Sequence, residues 1–361
     1  MITKPFSPYQ SRLMKIREAI KKNRLDGFLV TDINNVHYLT GFSGSSGFII
    51  LTGKESIFVT DFRYKEQSEK EVAGLDITIE KNNRIRTIQT LSKKNRIKKL
   101  GFESSVSYDF FRRLSAGDIN LIAAEGLVEK FRAIKDNGEI DSIKEAVRRA
   151  EAAFQEVKPY IRQGISERSV ALRLEERLKK NGCRRIPFDI IVASGSNSVL
   201  PHARPTEKRL HKGDLVIIDW GGEADGYYSD MTRTLLIKGR QSKQQEKIYR
   251  TVVDANRKAI ASVAPGKTSK DIDSAARNVI KKADYGEFFG HGTGHGVGLQ
   301  VHELPRITWI RKEMIQENMV FTIEPGIYLP GIGGVRIEDM VLVRKGEAEM
   351  LTSLPKHLEI L

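Results

Sequence analysis

Two short hairpins constrain this chain more than any other feature of its sequence. In the first, the apolar run Leu215–Ile218 ends on Asp219, and Asp225-Gly226 is a two-residue turn signal leading on to Asp230. With Asp225 and Gly226 as the loop, Asp219 pairs across from Thr232. Asp230 then lies two positions along on the same sheet face, roughly 7–8 Å from Asp219 between backbones. In the second, Glu324 in FTIEPGIY and Glu338 in GGVRIED flank the turn LPGIGG and can face each other likewise. An Asp closing a run such as LVIID is costly to bury unless it is paired, hydrogen-bonded or bound to metal. For either Asp alone, a capped turn or a buried ion pair suffices. Four carboxylates in two matched hairpins repel one another in one dry pocket and require a cation.

Between the hairpins lies GHGTGHGVGLQVHE, with His291, His295 and His302, and His202 stands upstream in LPHARP. A single histidine in a Gly-rich loop is usually structural, whereas three so close together point to ligation or catalysis. There is no HExxH, so a mononuclear zinc protease of that type is disfavoured. With 1 cysteine, Cys183, neither an internal disulfide nor a thiolate cluster can be built. One histidine with four carboxylates is a hard, oxygen-rich set that suits Mn(II), Co(II) or Fe(II). Bridging carboxylates hold two ions about 3.5–4 Å apart, the spacing used to clamp an attacking hydroxide and a polarised carbonyl.

The rest of the chain reads as α+β. Gln10 to Lys22 places Leu13, Ile16 and Ile20 on one helical face. Gly27–Thr31, Gly47–Leu51 and Ser56–Thr60 are strands, and GFSGSSG between the first two is a hairpin loop rather than a phosphate loop, since a strand follows it and it lacks a Lys-Ser/Thr ending. Near Leu127 a strand-like rhythm gives way to a helical one, which sets domains of 1–127 and 128–361. The second domain repeats a plan. A helix carrying Ile143, Val147, Ala150, Phe154 and Val157 and another starting at Ser166 precede strands. Then come a helix with Ile248, Val252, Ala255 and Ala259, one opened by the capping box Thr268–Asp271 with Ile272, Ala275 or Ala276, and Val279 inward, and strands again. Two such copies suggest a pseudo-duplicated domain with helices over one face of a mostly antiparallel, curved sheet.

These residues resemble a known family. Asp219, Asp230, His295, Glu324 and Glu338, within PHARPT, IDWGGEADGYYSDMTRT, GHGTGHGVGLQVHE, TIEPGIY and GGVRIED, look like the dinuclear centre of the pita-bread metallopeptidases. That family includes methionine aminopeptidase, Xaa-Pro aminopeptidase and Xaa-Pro dipeptidase (prolidase). NVHYLTGFSGSSG resembles the N-terminal α/β domain of the Xaa-Pro members and of creatinase, so the match spans nearly the whole chain. The resemblance implies that Asp219 binds the first ion, that Asp230 and Glu338 bridge both, and that His295 and Glu324 complete the second. Glu324 also relays the proton of the bridging hydroxide. His302 and His202 match histidines that position the scissile carbonyl and stabilise the tetrahedral intermediate, and His291 matches a substrate-contacting one. Arg336 matches an arginine that organises the site or meets a substrate carboxylate. Tyr328 is either a hydrogen-bond donor behind the ligands or structural.

All five ligands are present, which argues against the metal-free creatinase and against relatives that keep the fold only to bind. The expected cofactors are two divalent ions, Mn2+ first, with Co2+, Fe2+ or Zn2+ as alternatives. The expected activity is release of the residue before proline from peptides with proline second. An aminopeptidase is favoured over a dipeptidase because the first domain shows no long capping insert. A homodimer is implied by the resemblance alone. The net charge of +14 raises a distant alternative, a non-catalytic nucleic-acid or chaperone-like binding protein. The strongest local bias, Lys81–Lys99, holds no acid and no aromatic residue, so a solvated helix face or a contact with an acidic neighbour is the simpler account. The basic start lacks an apolar h-region and no run of eighteen apolar residues occurs, so the expected location is the cytoplasm, with no membrane partner.

Overall fold

Leu13, Ile16 and Ile20 are buried along one face of helix α1 (Pro8–Lys22), and the apolar segments after it form a sheet. These observations come from a computed structural model that describes residues 8–81 and 83–361; the first seven residues, which open the basic start, and Asn82, within the basic stretch, lie outside the described residues. The chain divides into two units, one ending at Arg132 and the other spanning Ala133–Leu361.

In the first unit β1 (Gly27–Val30), α2 (Ile33–Thr40), β2 (Phe48–Thr52) and β3 (Ser56–Thr60) are followed by α3 (Lys65–Glu71), β4 (Asp76–Ile79) and α4 (Arg84–Lys94). Then come β5 (Lys99–Glu103), α5 (Tyr108–Leu114), β6 (Asn120–Ala124) and α6 (Glu129–Arg132). The sheet order is β4-β3-β2-β1-β5-β6, antiparallel through β1, β2 and β3 and parallel at both ends. One expectation is corrected. GFSGSSG is not the turn of a β1–β2 hairpin, because α2 intervenes. Asp32 caps that helix by accepting from Asn34 and Asn35, and Gly41, at φ 77°, ends it. The two strands still pair antiparallel, with the helix and the glycine loop together making the return.

The basic stretch forms α4 and its flanks. Ile88, Ser92 and Ile97 point inward while Arg86, Lys93, Lys94, Arg96, Lys98 and Lys99 are exposed, and Arg84 bonds Ser46 (3.1 Å). That is a solvated helix face.

The second unit opens with α7 (Asn137–Val157) and α8 (Glu167–Lys180), capped by Asp136 and Ser166. It continues with β7 (Ile191–Ser194), β8 (Leu215–Trp220), β9 (Glu223–Ala224), β10 (Tyr227–Tyr228) and β11 (Met231–Leu236). After α9 (Lys243–Ile260) and α10 (Ser269–Lys282) come β12 (Gly294–Gly296), β13 (Glu303–Ile307), β14 (Val320–Ile323) and β15 (Gly326–Leu329). β16 (Gly333–Arg336), β17 (Asp339–Val343) and β18 (Ala348–Met350) complete it.

Its two halves correspond. β7, β8 and β11 lie side by side in one, and β12, β14 and β17 in the same relation in the other, with every pairing antiparallel. Even the caps correspond: Ser166, before α8, bridges Arg209, and Thr268, before α10, bridges Met314. On α10 the inward residues are Ile272, Ala276 and Ile280, with Val279 only partly covered. A bridge from Thr232 to Glu338 joins the halves. Beneath the first half, Trp220 is fully buried, stacks on Phe154 (4.3 Å between centroids) and donates to Ala150 O (3.0 Å). No helix among the described residues is long and apolar enough to cross a membrane.

Candidate metal centre

The register of each hairpin follows from its turn. Asp225 and Gly226 sit at φ 51° and 84°, the left-handed pair of a type I′ turn, and beyond it Thr232 pairs with Asp219. In the second half, Gly326 pairs with Arg336 and Ile323 with Asp339, one unbroken register split between two ladders. Glu324 and Glu338 occupy the step between those ladders and therefore stand opposite each other. The bridge from Thr232 to Glu338 brings the two acidic hairpins together: Glu338 N donates to Thr232 O (3.1 Å) and Thr232 Oγ1 to Glu338 Oε2 (2.7 Å).

His295 enters from β12, which is squeezed between β13 and β14. A Cβ on Gly294 would stand 1.9 Å from Thr322 O, and one on Gly296 2.1 Å from Leu304 O, so only glycine admits the strand there. The register shifts between His295 and Gly296, a bulge that re-aims the imidazole into the acidic cluster. His295 Nδ1 faces its neighbour's carbonyl, Gly296 O (3.3 Å), which can only accept, so the lone pair is on Nε2. Nε2 lies 3.6 Å from Asp230 Oδ2 and 3.4 Å from Glu324 Oε1. Burial holds the imidazole down near pKa 3, so these approaches are not ion pairs. A lone pair directed at two carboxylates is repulsive until a cation stands between them.

The carboxylates carry the same message. Burial, reinforced by Glu338, Asp219 and Glu324, pushes the Asp230 carboxyl well up. Glu338 is raised by burial and then by Glu324 and Asp219, and burial takes Glu324 to about 7. Oδ1 of Asp219 and Oδ1 of Asp230 are buried without a hydrogen-bond partner among the described residues. Donor atoms of Asp230, His295 and Glu338 all lie within 4.8 Å of one another. Orphaned oxygens, an inward imidazole lone pair and mutually destabilised carboxylates fit a divalent cation.

One cation is built in. Arg336, 3% exposed, donates through Nη2 to Asp219 Oδ2 (2.6 Å), through Nη1 to Pro201 O (3.1 Å) and Tyr328 Oη (2.9 Å), and through Nε to Thr232 Oγ1 (3.1 Å). All three guanidinium nitrogens are engaged by the protein through four of the five N–H groups, which gives it the organising role. Tyr328 in turn bonds His291 Nε2 (2.9 Å), whose Nδ1 meets Gly292 O (2.8 Å). A carbonyl accepts only, so Nδ1 carries the proton, Nε2 accepts and the tyrosine hydroxyl donates. Burial lowers His291 to about 4, which keeps this neutral tautomer in place. His291 thus has both ring nitrogens bonded within the protein.

A cavity of about 560 Å³ opens over the cluster, lined by Asp219, Asp230, His295, Glu324, Arg336 and Glu338, with His202, His291, His302 and Arg306 on its walls. Nine of the ten residues singled out from the sequence therefore line one cavity, and the tenth, Tyr328, stands behind Arg336 and His291. His302 packs edge-on against His295 (4.2 Å between centroids), and His202 and His302 are exposed to the cavity. Arg204 and Arg306 are the additions, both with exposed side chains that make no hydrogen bond or ion pair with any described residue. Arg306 is held at its backbone, where its N–H bonds Glu313 (3.0 Å). In sequence it is one arginine among many; its position four residues after His302, alternating with buried Pro305 and Ile307 on β13, is the one available signal.

Residues 141–345 match the profile of metallopeptidase family M24, and residues 12–134 that of the creatinase/prolidase N-terminal domain. The chain belongs to metallopeptidase family M24. Among M24 relatives, it is 39% identical over 351 residues to the Xaa-Pro dipeptidase of Pyrococcus horikoshii, covering 96% of this chain and 98% of that one. It is 40% identical over 353 residues to a Bacillus subtilis protein described as the uncharacterized peptidase YqhT, covering 97% and 100%. Among solved structures it resembles a Xaa-Pro dipeptidase from Bacillus anthracis, with TM-score 0.95, 39% identity and coverage of 98% and 100%. It also resembles the X-Pro aminopeptidase from Thermotoga maritima, with TM-score 0.88, 36% identity and coverage of 97% and 99%. The fold expected from the sequence, a creatinase-type domain before a pita-bread metallopeptidase domain, is the fold of this M24 chain.

Proposed function

We propose that this M24 chain is a two-metal Xaa-Pro dipeptidase, hydrolysing the bond between a first residue and a C-terminal proline. Arg306 carries the choice of dipeptide over longer peptide. A dipeptide presents its carboxylate one residue beyond the scissile bond. Of the two cavity guanidiniums without a partner among the described residues, Arg204 and Arg306, it is Arg306 whose charge is felt at His295 and His302, whereas Arg336 is committed to Asp219, Pro201, Tyr328 and Thr232. This departs from the aminopeptidase favoured by the absence of a capping insert: one cation on the wall serves the same end as a lid. Relatives bearing either name share the fold, so the discrimination rests on this side chain.

Asp219, Asp230, His295, Glu324 and Glu338 would hold the ions, with Asp230 and Glu338 shared between them. Two divalent cations, Mn2+ before Co2+, Fe2+ or Zn2+, would supply an acidified water and a polarised carbonyl. The chain's own groups do the rest. Glu324 accepts the proton of the attacking water and returns it to the leaving nitrogen of proline. His202 and His302, exposed on the wall, donate N–H bonds to the carbonyl oxygen as it gains charge. Arg336 fixes Asp219, while Tyr328 and His291 fix Arg336. The prolyl nitrogen carries no hydrogen, so the site has ring shape and carboxylate to read. The expected assembly is a homodimer; sedimentation of the active enzyme as a single chain would remove that.

The test compares an Xaa-Pro dipeptide with its C-terminal amide. A charge-assisted bond of about 2 kcal/mol favours the free acid roughly 30-fold in kcat/KM. Arg306→Met should erase that ratio. Equal hydrolysis of acid and amide by the unaltered protein would restore the aminopeptidase.

A further inference from the structure

His202 makes no hydrogen bond with any described residue, so its placement over the carboxylates is set by the loop that carries it. One buried side chain gathers both ends of that loop, beside Lys208, whose Nζ reaches from the far end to Ser194 O. Glu167, the first residue of α8, is fully buried, and its carboxylate accepts from both ends of the segment 194–206. On the near side, Ser194 donates through N (2.7 Å) and Oγ (2.8 Å) to Oε1. On the far side, Thr206 donates through N (3.1 Å) and Oγ1 (2.7 Å) to Oε2, and Asn197 Nδ2 reaches both oxygens (3.1 and 3.0 Å). The backbone joins the same clamp, with Arg168 N donating to Thr206 O and Glu167 N to Lys208 O, both at 3.0 Å. The crest of the loop is tied at two other points, Pro201 O to Arg336 and Ser198 Oγ to Gly334 N (2.7 Å).

We propose that Glu167 is a positioning residue for hydrolysis: by drawing Ser194, Asn197 and Thr206 onto one carboxylate, it sets the span of the loop and hence the place of His202. The inference rests on the reading that His202 acts on the scissile carbonyl. Only an ionised carboxylate offers acceptors enough for this set of donors and no donor of its own. An amide in its place turns one acceptor into a donor facing other donors, so the loop must open on one side. A displacement of about 1 Å at a catalytic group can cost on the order of 10²-fold.

The experiment is a double-mutant cycle on Mn(II)-loaded enzyme with an Xaa-Pro dipeptide, using Glu167→Gln, His202→Ala and the pair. Metal content and thermal midpoint are measured alongside. Glu167→Gln should lower kcat by about 10- to 100-fold with metal content unchanged. In the His202→Ala background it should have no further effect on kcat. A merely structural glutamate would leave kcat of the folded enzyme alone or multiply its loss onto that of His202→Ala, and either result overturns the inference. Wild-type kcat in His202→Ala overturns the reading of His202 and this inference with it; wild-type kcat in Glu167→Gln alone overturns only the inference. Should Glu167→Gln not fold, Asn197→Ala and Thr206→Val remove donors from the same carboxylate without touching α8. They must show the same dependence on His202, and independent losses would refute it.

Discussion

Replacing Arg336 by methionine removes the built-in cation of the metal centre and keeps an unbranched chain of similar length. The guanidinium is 3% exposed and its ion pair with Asp219 is 2.6 Å long, so the change strands a mostly buried carboxylate. Removing one partner of such a pair costs about 3–5 kcal/mol. Thr232 Oγ1, Pro201 O and Tyr328 Oη also lose a donor. For a domain of roughly 150–250 residues each kcal/mol moves the midpoint by about 2–4 °C, which gives a fall of roughly 6–20 °C. Arg336 opposes Asp219, Glu324 and Glu338 electrostatically, and bound dications would take over that task. The deficit should therefore be larger after chelation than in excess Mn(II). Differential scanning calorimetry in both conditions reads it directly. A midpoint within about 1 °C of the unaltered protein, or the same deficit with and without metal, would show that Arg336 does not organise the cluster.

Three further outcomes follow from particular contacts. Gly296→Ala puts a Cβ 2.1 Å from Leu304 O beside the His295 bulge, so β12 and β13 must part and Mn(II) affinity should fall at least about tenfold, measured by metal titration. Glu324→Gln keeps size while removing the proton acceptor, and kcat should drop about 10²- to 10⁴-fold in a protein that still melts cooperatively. Hydrogen bonds from Arg148 and then Arg149 hold the Glu145 carboxyl down at about 2. A depressed acid stabilises above its unfolded pKa and loses that contribution as pH falls toward its folded one. The stability advantage over Glu145→Gln, kept within about 1 kcal/mol by solvent screening, should thus be present at pH 5 and vanish near pH 2 in denaturant titrations.

Much of the site was legible because hairpin chemistry fixes register. Asp225-Gly226 admits the left-handed pair of a type I′ turn, and that alone set Asp219 against Thr232. The duplicated helix pairs were visible in their caps and apolar faces. What the pattern hid was local or long-range. Helix α2 is short, and its buried Asn35 and Thr40 do not mark an apolar face. The ends of the His202 loop meet on Glu167, and Arg336 reaches Pro201, only after α8 and the two half-sheets pack. The bonded state of His291 depends on Tyr328, far along the chain, and the unpaired state of Arg306 is a fact about its surroundings that no one-dimensional pattern records.

The central claim is that the carboxylates gathered around His295 hydrolyse an Xaa-Pro bond through bound dications. Its most direct test is to strip the protein with chelator and titrate Mn(II) back while following cleavage of an Xaa-Pro dipeptide. Activity should be absent at the start and rise to a plateau at two ions per chain. Asp230→Ala, which removes one of the two carboxylates proposed to be shared, should stay inactive across the titration while its circular dichroism is unchanged. Cleavage before any metal is added, or full activity in Asp230→Ala, would contradict the account.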